Sequence, residues 1–170
     1  AEERLLAFIG GKSESSLLMD AFNILLEEDI FRTNPQALEK LTGWVNARDA
    51  GRQPAAMYAM GSLLLAKDDL AGAVKMAEDG LSKYPQSLPV QTLSLNTITT
   101  LLDKNRVEDA ERLISKYPGT SPGLVFQQGA LAFRKGDYPL AQSLFREAAR
   151  RASEKTAESA LFNENLAALN

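Results

Sequence analysis

Residues 122–152 read PGLVFQQGALAFRKGDYPLAQSLFREAARRA. Two helical patterns flank a tight turn at Lys135-Gly136-Asp137. Small residues stand at regular places: Gly129 and Ala132 in the first pattern, Ala141 and Ala148 in the second, where Phe145 also lies. Twelve residues separate Gly129 from Ala141, and seven separate Ala141 from Ala148. Two antiparallel helices approach closely only where the crossing residues are small. A glycine at 136 can also take the left-handed conformation that ends a helix. The stretch is therefore predicted to be a helical hairpin, with Gly129 at the crossing inside it.

Moving outward, residues 54–85 repeat the pattern with Gly61, Leu64, Ala73, Gly80 and Pro85. Gly61 to Ala73 is again twelve residues, and both Gly61 to Gly129 and Ala73 to Ala141 are 68. A chance bundle has no reason to keep that phase. The pattern resembles the tetratricopeptide repeat (TPR), a helix–turn–helix unit of about 34 residues whose helices touch at small side chains. The resemblance puts Gly61, like Gly129, at the crossing inside its own hairpin. A degenerate copy is read at 87–118, where Ser87 caps a long helix with Pro89 near its start, reaching about Lys104. Val107, Ala110, Leu113 and Ile114 mark its short partner, and Ile98 stands where the family has glycine. Tyr84-Pro85 and Tyr117-Pro118 both close second helices.

The 13–50 region fits as a weaker copy. Ser13 or Ser15 caps its first helix, and Asn34-Pro35 opens the second, with Asn at the cap and Pro at the first helical position. Ala37 lies 36 residues before Ala73, and Trp44 takes a position usually held by a small residue. Leu38, Leu41, Val45 and Arg48 continue its helical spacing. Residues 155–170 form a last one-sided helix carrying Leu161, Phe162, Leu166 and Leu169, the pattern of an end cap. The resemblance thus implies an all-α fold: an α–α superhelix, or TPR-like solenoid, of about four hairpins plus a capping helix, forming one domain over residues 1–170. The opening AEERLLAFIG is already helical in pattern, and the chain is read as processed or as an excised piece of a longer protein.

Composition narrows the function. At 45% hydrophobic and 24% charged the chain is globular in type. A formal charge of −3 argues against a nucleic-acid partner. The absence of His and Cys removes the commonest general base, thiolate metal sites and disulfides, and leaves the compartment open between cytoplasm and periplasm. No apolar run approaches the ~20 residues that span a bilayer, so no membrane insertion is expected. Gly10-Gly11-Lys12-Ser13 has the end of a phosphate-binding loop but Leu6 where that motif needs its first glycine. Asp103-Lys104-Asn105 opens like a calcium loop, but Glu108 and Ile114 stand where it needs Gly and Glu. No enzyme activity, metal or cofactor is expected.

The resemblance implies a groove. In TPR arrays the first helices line a concave face, and carrying the family's facing positions over by phase gives Phe22, Asn23, Tyr58, Ser62, Asn96, Thr99, Phe126, Gln127, Phe133 and Arg134 as the partner-binding set. Leu26, Ala59, Leu65, Leu95 and Leu102 share that face. With Arg134 as the single cation, a clamp for a peptide's terminal carboxylate is not expected. Amides can donate and accept at once, so they suit the main chain of a protein or peptide segment. The implied function is a non-enzymatic, protein-binding module, of the kind found in bacterial envelope, secretion or polysaccharide-assembly complexes. The alternative is a structural section of a longer superhelical scaffold, or a self-associating assembly protein.

Overall fold

The computed structural model describes residues 2–11, 15–47 and 49–167, with the side chains of all of these but 15–16 and 155–167. They form ten helices and no strand: α1 (Glu2–Gly10), α2 (Ser15–Glu27), α3 (Ile30–Thr33), α4 (Pro35–Asn46), α5 (Gln53–Ala66), α6 (Leu70–Lys83), α7 (Leu88–Asp103), α8 (Val107–Lys116), α9 (Pro122–Arg134) and α10 (Tyr138–Ala167).

Three turns are built alike. Asp68, Asn105 and Gly136 each have a positive φ, of 58–81°. In each, the left-handed residue donates its N–H to a carbonyl three residues back, and the next residue donates to one five back: Asp68 to Leu65 and Asp69 to Leu64, Asn105 to Leu102 and Arg106 to Leu101, Gly136 to Phe133 and Asp137 to Ala132. This double bond satisfies the last carbonyls of α5, α7 and α9 and turns the chain back on itself. The following helix is then started by a side chain where one is available. Asp69 accepts from the N–H of Gly72 at 2.9 Å and Asp137 from that of Leu140 at 3.1 Å; Arg106 offers no cap. Five residues after each left-handed residue stands a buried alanine: Ala73, Ala110 and Ala141. Prolines 54, 89 and 122 sit in the first turns of α5, α7 and α9, where a missing N–H costs nothing. Tyr84 and Tyr117 end α6 and α8 because a residue before proline is pushed out of the helical region.

The helices form two rows. From α4 onward each helix packs on its successor, and α2, α5, α7 and α9 also pack on one another in that order. The second helices meet less: α6 touches α8, and other such pairs barely meet. Two apolar clusters result. One gathers Leu6, Phe22, Phe31, Leu41 and Ala59; the other gathers Tyr58, Val74, Leu93, Ile98 and Leu113. Leu26 touches both. α5 lies between the clusters, which is why it is apolar on nearly every side. Burial pushes the Tyr117 phenol above its ordinary pKa, against a hydrogen bond to Ser121.

Ion pairs tie the last three hairpins to one another. Lys104 meets Asp68 at 2.9 Å, Arg134 meets Asp103 at 3.6 Å, and Lys135 meets Glu111 at 2.6 Å. Glu78 of α6 takes both Arg112 and Lys116 of α8, at 3.2 and 3.0 Å. Partial burial pushes the Glu78 carboxyl up, but the hydrogen bonds and charges of Lys116 and Arg112 outweigh it and leave the pKa below 4.5. A lowered folded-state pKa adds stability that is present above the unfolded value and lost as pH falls through the folded one. Glu78→Gln should therefore lose less melting temperature than the wild type when the buffer is taken from about pH 6 to about pH 3. Parallel curves would show that Glu78 carries no such coupling.

Four expectations are corrected. The separate helix expected at 155–170 does not begin afresh: α10 is continuous from Tyr138 to Ala167, because residues 149–160 contain neither glycine nor proline. The region 13–50 holds an extra short helix, α3, started by Asp29 in a left-handed conformation. Ser87 stands at the start of α7 but makes no side-chain cap. Gly61 opens onto the next hairpin and not onto its own: the atoms nearest to its missing Cβ belong to Leu93 of α7. Gly129 does lie inside its hairpin, against Phe145 and Leu144 of α10. Asn34 caps α4 as expected, accepting from the N–H groups of Gln36 and Ala37. Ser13 and Arg48 lie outside the described residues.

Candidate functional site

The row α2, α5, α7, α9 carries the ten predicted groove residues, and the fold sorts them. Phe22 leaves the set: it is 0% exposed, with its ring 5.8 Å from that of Trp44 and 6.2 Å from that of Phe31. The reason is packing direction: α2 turns Leu18, Phe22 and Leu25 toward α3, α4 and α5, and the next residue, Asn23, toward the row's outer face.

Two polar pairs bridge neighbouring first helices. The Tyr58 hydroxyl donates to Asn23 Oδ1 at 2.8 Å, joining α5 to α2. Gln127 Nε2 donates to Thr99 Oγ1 at 2.8 Å, joining α9 to α7, while Thr99 Oγ1 donates to the Leu95 carbonyl. Tyr58 and Gln127 are each 9% exposed, so both act mainly as struts. Among the described residues the Asn23 amide N–H groups and the Gln127 side-chain carbonyl oxygen have no partner. Asn96 is exposed, and its side-chain amide has no partner among the described residues; Ser62 is half-buried with a free hydroxyl in the same sense. Phe126 is 52% exposed, its ring 5.2 Å from that of Phe145.

Phe133 and Arg134 sit at the edge of the row. Phe133 packs against Tyr138, ring centroids 5.4 Å apart, and lines a cavity of about 640 Å³ with Tyr138, Phe145 and Arg146 of α10. Arg134 pairs with Asp103. Reading the apolar stripes of α9 and α10 only as core hid this end cavity. A second hollow, of about 670 Å³, lies among Met19, Asp20, Pro54, Tyr84, Leu88 and Pro89. There the Tyr84 hydroxyl donates to Gln53, whose Nε2 donates to the Val45 carbonyl at 2.6 Å, so the polar groups behind that wall are already engaged.

The two motifs weighed for ligands have structural duties. Gly11 donates back to the Ala7 and Phe8 carbonyls and accepts from Arg52 at 2.6 Å, which anchors the end of α1 to the start of α5. Lys12 and Ser13 lie outside the described residues. Asp103 and Lys104 are held in the ion pairs between hairpins. Among the described residues no group of three or more acidic side chains is placed to hold a metal, and no helix is long and apolar enough to cross a membrane. Comparison with protein-family models, with curated proteins and with solved structures finds no match for this chain.

Proposed function

We propose that the chain is a TPR-like solenoid and a non-enzymatic interaction module that takes an extended protein or peptide segment along the face of its first helices. The observation that carries this reading is the recurrence of one turn: the same doubly bonded cap at Asp68, Asn105 and Gly136, each followed five residues later by a buried alanine. A unit repeated in this way stacks on its neighbours and not around a single centre. First helices that pack more closely than second helices bend such a stack toward the first-helix side, which supports a concave groove there. Along it stand an exposed ring at Phe126 and unsatisfied amide groups at Asn96 and Asn23. This is the chemistry of main-chain recognition with an aromatic anchor. The low net charge of −3 fits a protein partner and not a nucleic acid. The resemblance places such modules in bacterial envelope, secretion or polysaccharide-assembly complexes.

The test is a partner isolated with the intact protein and titrated by calorimetry against Phe126→Ala and Asn96→Ala. Each should weaken binding by about 1 kcal/mol or more, with little dependence on salt, because few charges line the face. If both bind like wild type while Lys75→Ala or Gln142→Ala on the second helices abolishes binding, the groove is not the site. One observation favours the alternative, a section of a larger scaffold: bare apolar surface lies at both ends of the row.

A further inference from the structure

Among the described residues, all but one of the exposed large apolar side chains belong to α1, α2, α9 or α10; Leu88 is the exception. The left-handed residues Asp29, Asp68, Asn105 and Gly136, which end α2, α5, α7 and α9, give a common register for judging what these side chains lack. Twelve residues before them stand Leu17, Ala56, Leu93 and Leu124. The last three are 0, 0 and 2% exposed, and Leu17 is 51% exposed. Five residues before them stand Ile24, Leu63, Thr100 and Leu131, and of these only Ile24, at 45%, is exposed. These are the positions with which a first helix leans on the hairpin before it: Leu93 fills the gap over Gly61. On α2 they are bare.

The opposite end shows the converse. Phe126, Phe133 and Tyr138 occupy the register positions of Tyr58, Leu65 and Leu70, which are buried or half-buried, Tyr58 and Leu70 in the cluster that includes α7. At 52, 54 and 63% exposure they are uncovered, and Phe133 and Tyr138 border the cavity of about 640 Å³. Gly129 is the counterpart of Gly61, and in place of a following helix the ring of Phe145 lies over it.

The charges agree with a mating of the two ends. Between α6 and α8, Glu78 (five residues after buried Ala73) pairs with Arg112 (two after buried Ala110). At the ends, the same positions are Arg146, five after buried Ala141, and Glu39, two after buried Ala37. The pair Asp103–Arg134 joins positions two before the left-handed residue, and its counterpart across the ends is Arg134 with Glu27. Both end pairs are of opposite sign. Arg146, Glu39 and Glu27 are exposed and form no ion pair among the described residues.

We propose that two copies of this chain dock head to tail, with the α9–α10 end of one receiving the α2–α4 end of the next. Leu17 and Ile24 of the incoming copy then cover Phe126, Phe133 and the Phe145 ring, and the row of first helices continues from α9 into a second α2. The contact joins two different surfaces, so it grows into open chains or rings and not into closed pairs. The junction covers Phe126, so that ring is open to a groove ligand only in the copy whose α9–α10 end is free.

Sedimentation velocity on the 170-residue chain, over about two decades of concentration, tests this. The average mass should rise above that of one chain. Ile24→Asp and Phe133→Asp, both at exposed positions, should each stay monomeric with wild-type circular dichroism. Mixed one to one they should form dimers and nothing longer, because only one intact junction can form. Arg146→Glu should weaken association about fivefold, and adding Glu39→Arg should restore it. A wild-type monomer at every concentration overturns the proposal. So do dimers of Ile24→Asp alone, a monomeric mixture, or failure of the charge exchange to rescue.

Discussion

Phe22→Ala is expected to lower stability by about 3–5 kcal/mol, the usual cost of emptying a fully buried aromatic site. The ring has no exposed surface and stands edge-on to Trp44, 5.8 Å away. It belongs to the cluster that joins α1, α2, α3, α4 and α5, so its loss leaves a cavity that several helices must close together. Trp44 is the single tryptophan of the chain and reports directly on this region. Urea unfolding followed by its fluorescence should shift to lower denaturant for Phe22→Ala, and much less for Phe22→Leu, which keeps most of the volume. Contacts run mainly between neighbouring helices, so hydrogen exchange should rise through α2, α4 and α5 before it rises in α7 and α9. A loss below about 1 kcal/mol would return Phe22 to the solvent-facing side and reinstate it among the candidate binding residues.

How far the chain was legible follows from how local each signal is. Asn34-Pro35, Tyr84-Pro85, Tyr117-Pro118 and Gly136 act on their own backbone, and the helix boundaries they predict lie within a residue or two of those observed. Asp68 and Asn105 take the same left-handed conformation as Gly136 without being glycine. The repeated turn was therefore visible only through the alanines that follow it. Orientation was less accessible. A position carried over by phase fixes a place along a helix but not what the neighbours do there. Phe22 and Asn23 are adjacent, yet one is sealed under Trp44 and the other bonds Tyr58 across to α5. The small residue at 61 announced a close approach but not the direction of it. No helix breaker stands between 149 and 160, yet the apolar spacing of 161–169 by itself predicts a new helix.

Gly61→Leu is expected to cost about 3 kcal/mol, at the upper end of the usual range for overpacking. A Cβ at this position would lie 2.3 Å from Leu93 Cδ1 and 2.6 Å from Cδ2, well inside contact distance. Leu93 is fully buried, so its side chain has no solvent to turn into, and relief must come from moving α7 away from α5. Even Gly61→Ala should be destabilising, although alanine is favoured over glycine in a helix by about 1 kcal/mol. Gly129→Ala makes the useful contrast. Its Cβ would meet two atoms of the Phe145 ring at 2.8 Å. That ring is half-buried at the end of the row and can swing outward, so the change should be close to neutral. The decisive measurement is a cycle of Gly61→Ala, Leu93→Ala and the double variant by urea denaturation. Shortening Leu93 makes the room that a methyl group on residue 61 lacks, so the double variant should lose clearly less than the two single losses together. Additivity within about 0.5 kcal/mol would mean that the two residues do not share one space. The closest approach between α5 and α7, and with it the register in which successive first helices stack, would then be wrong.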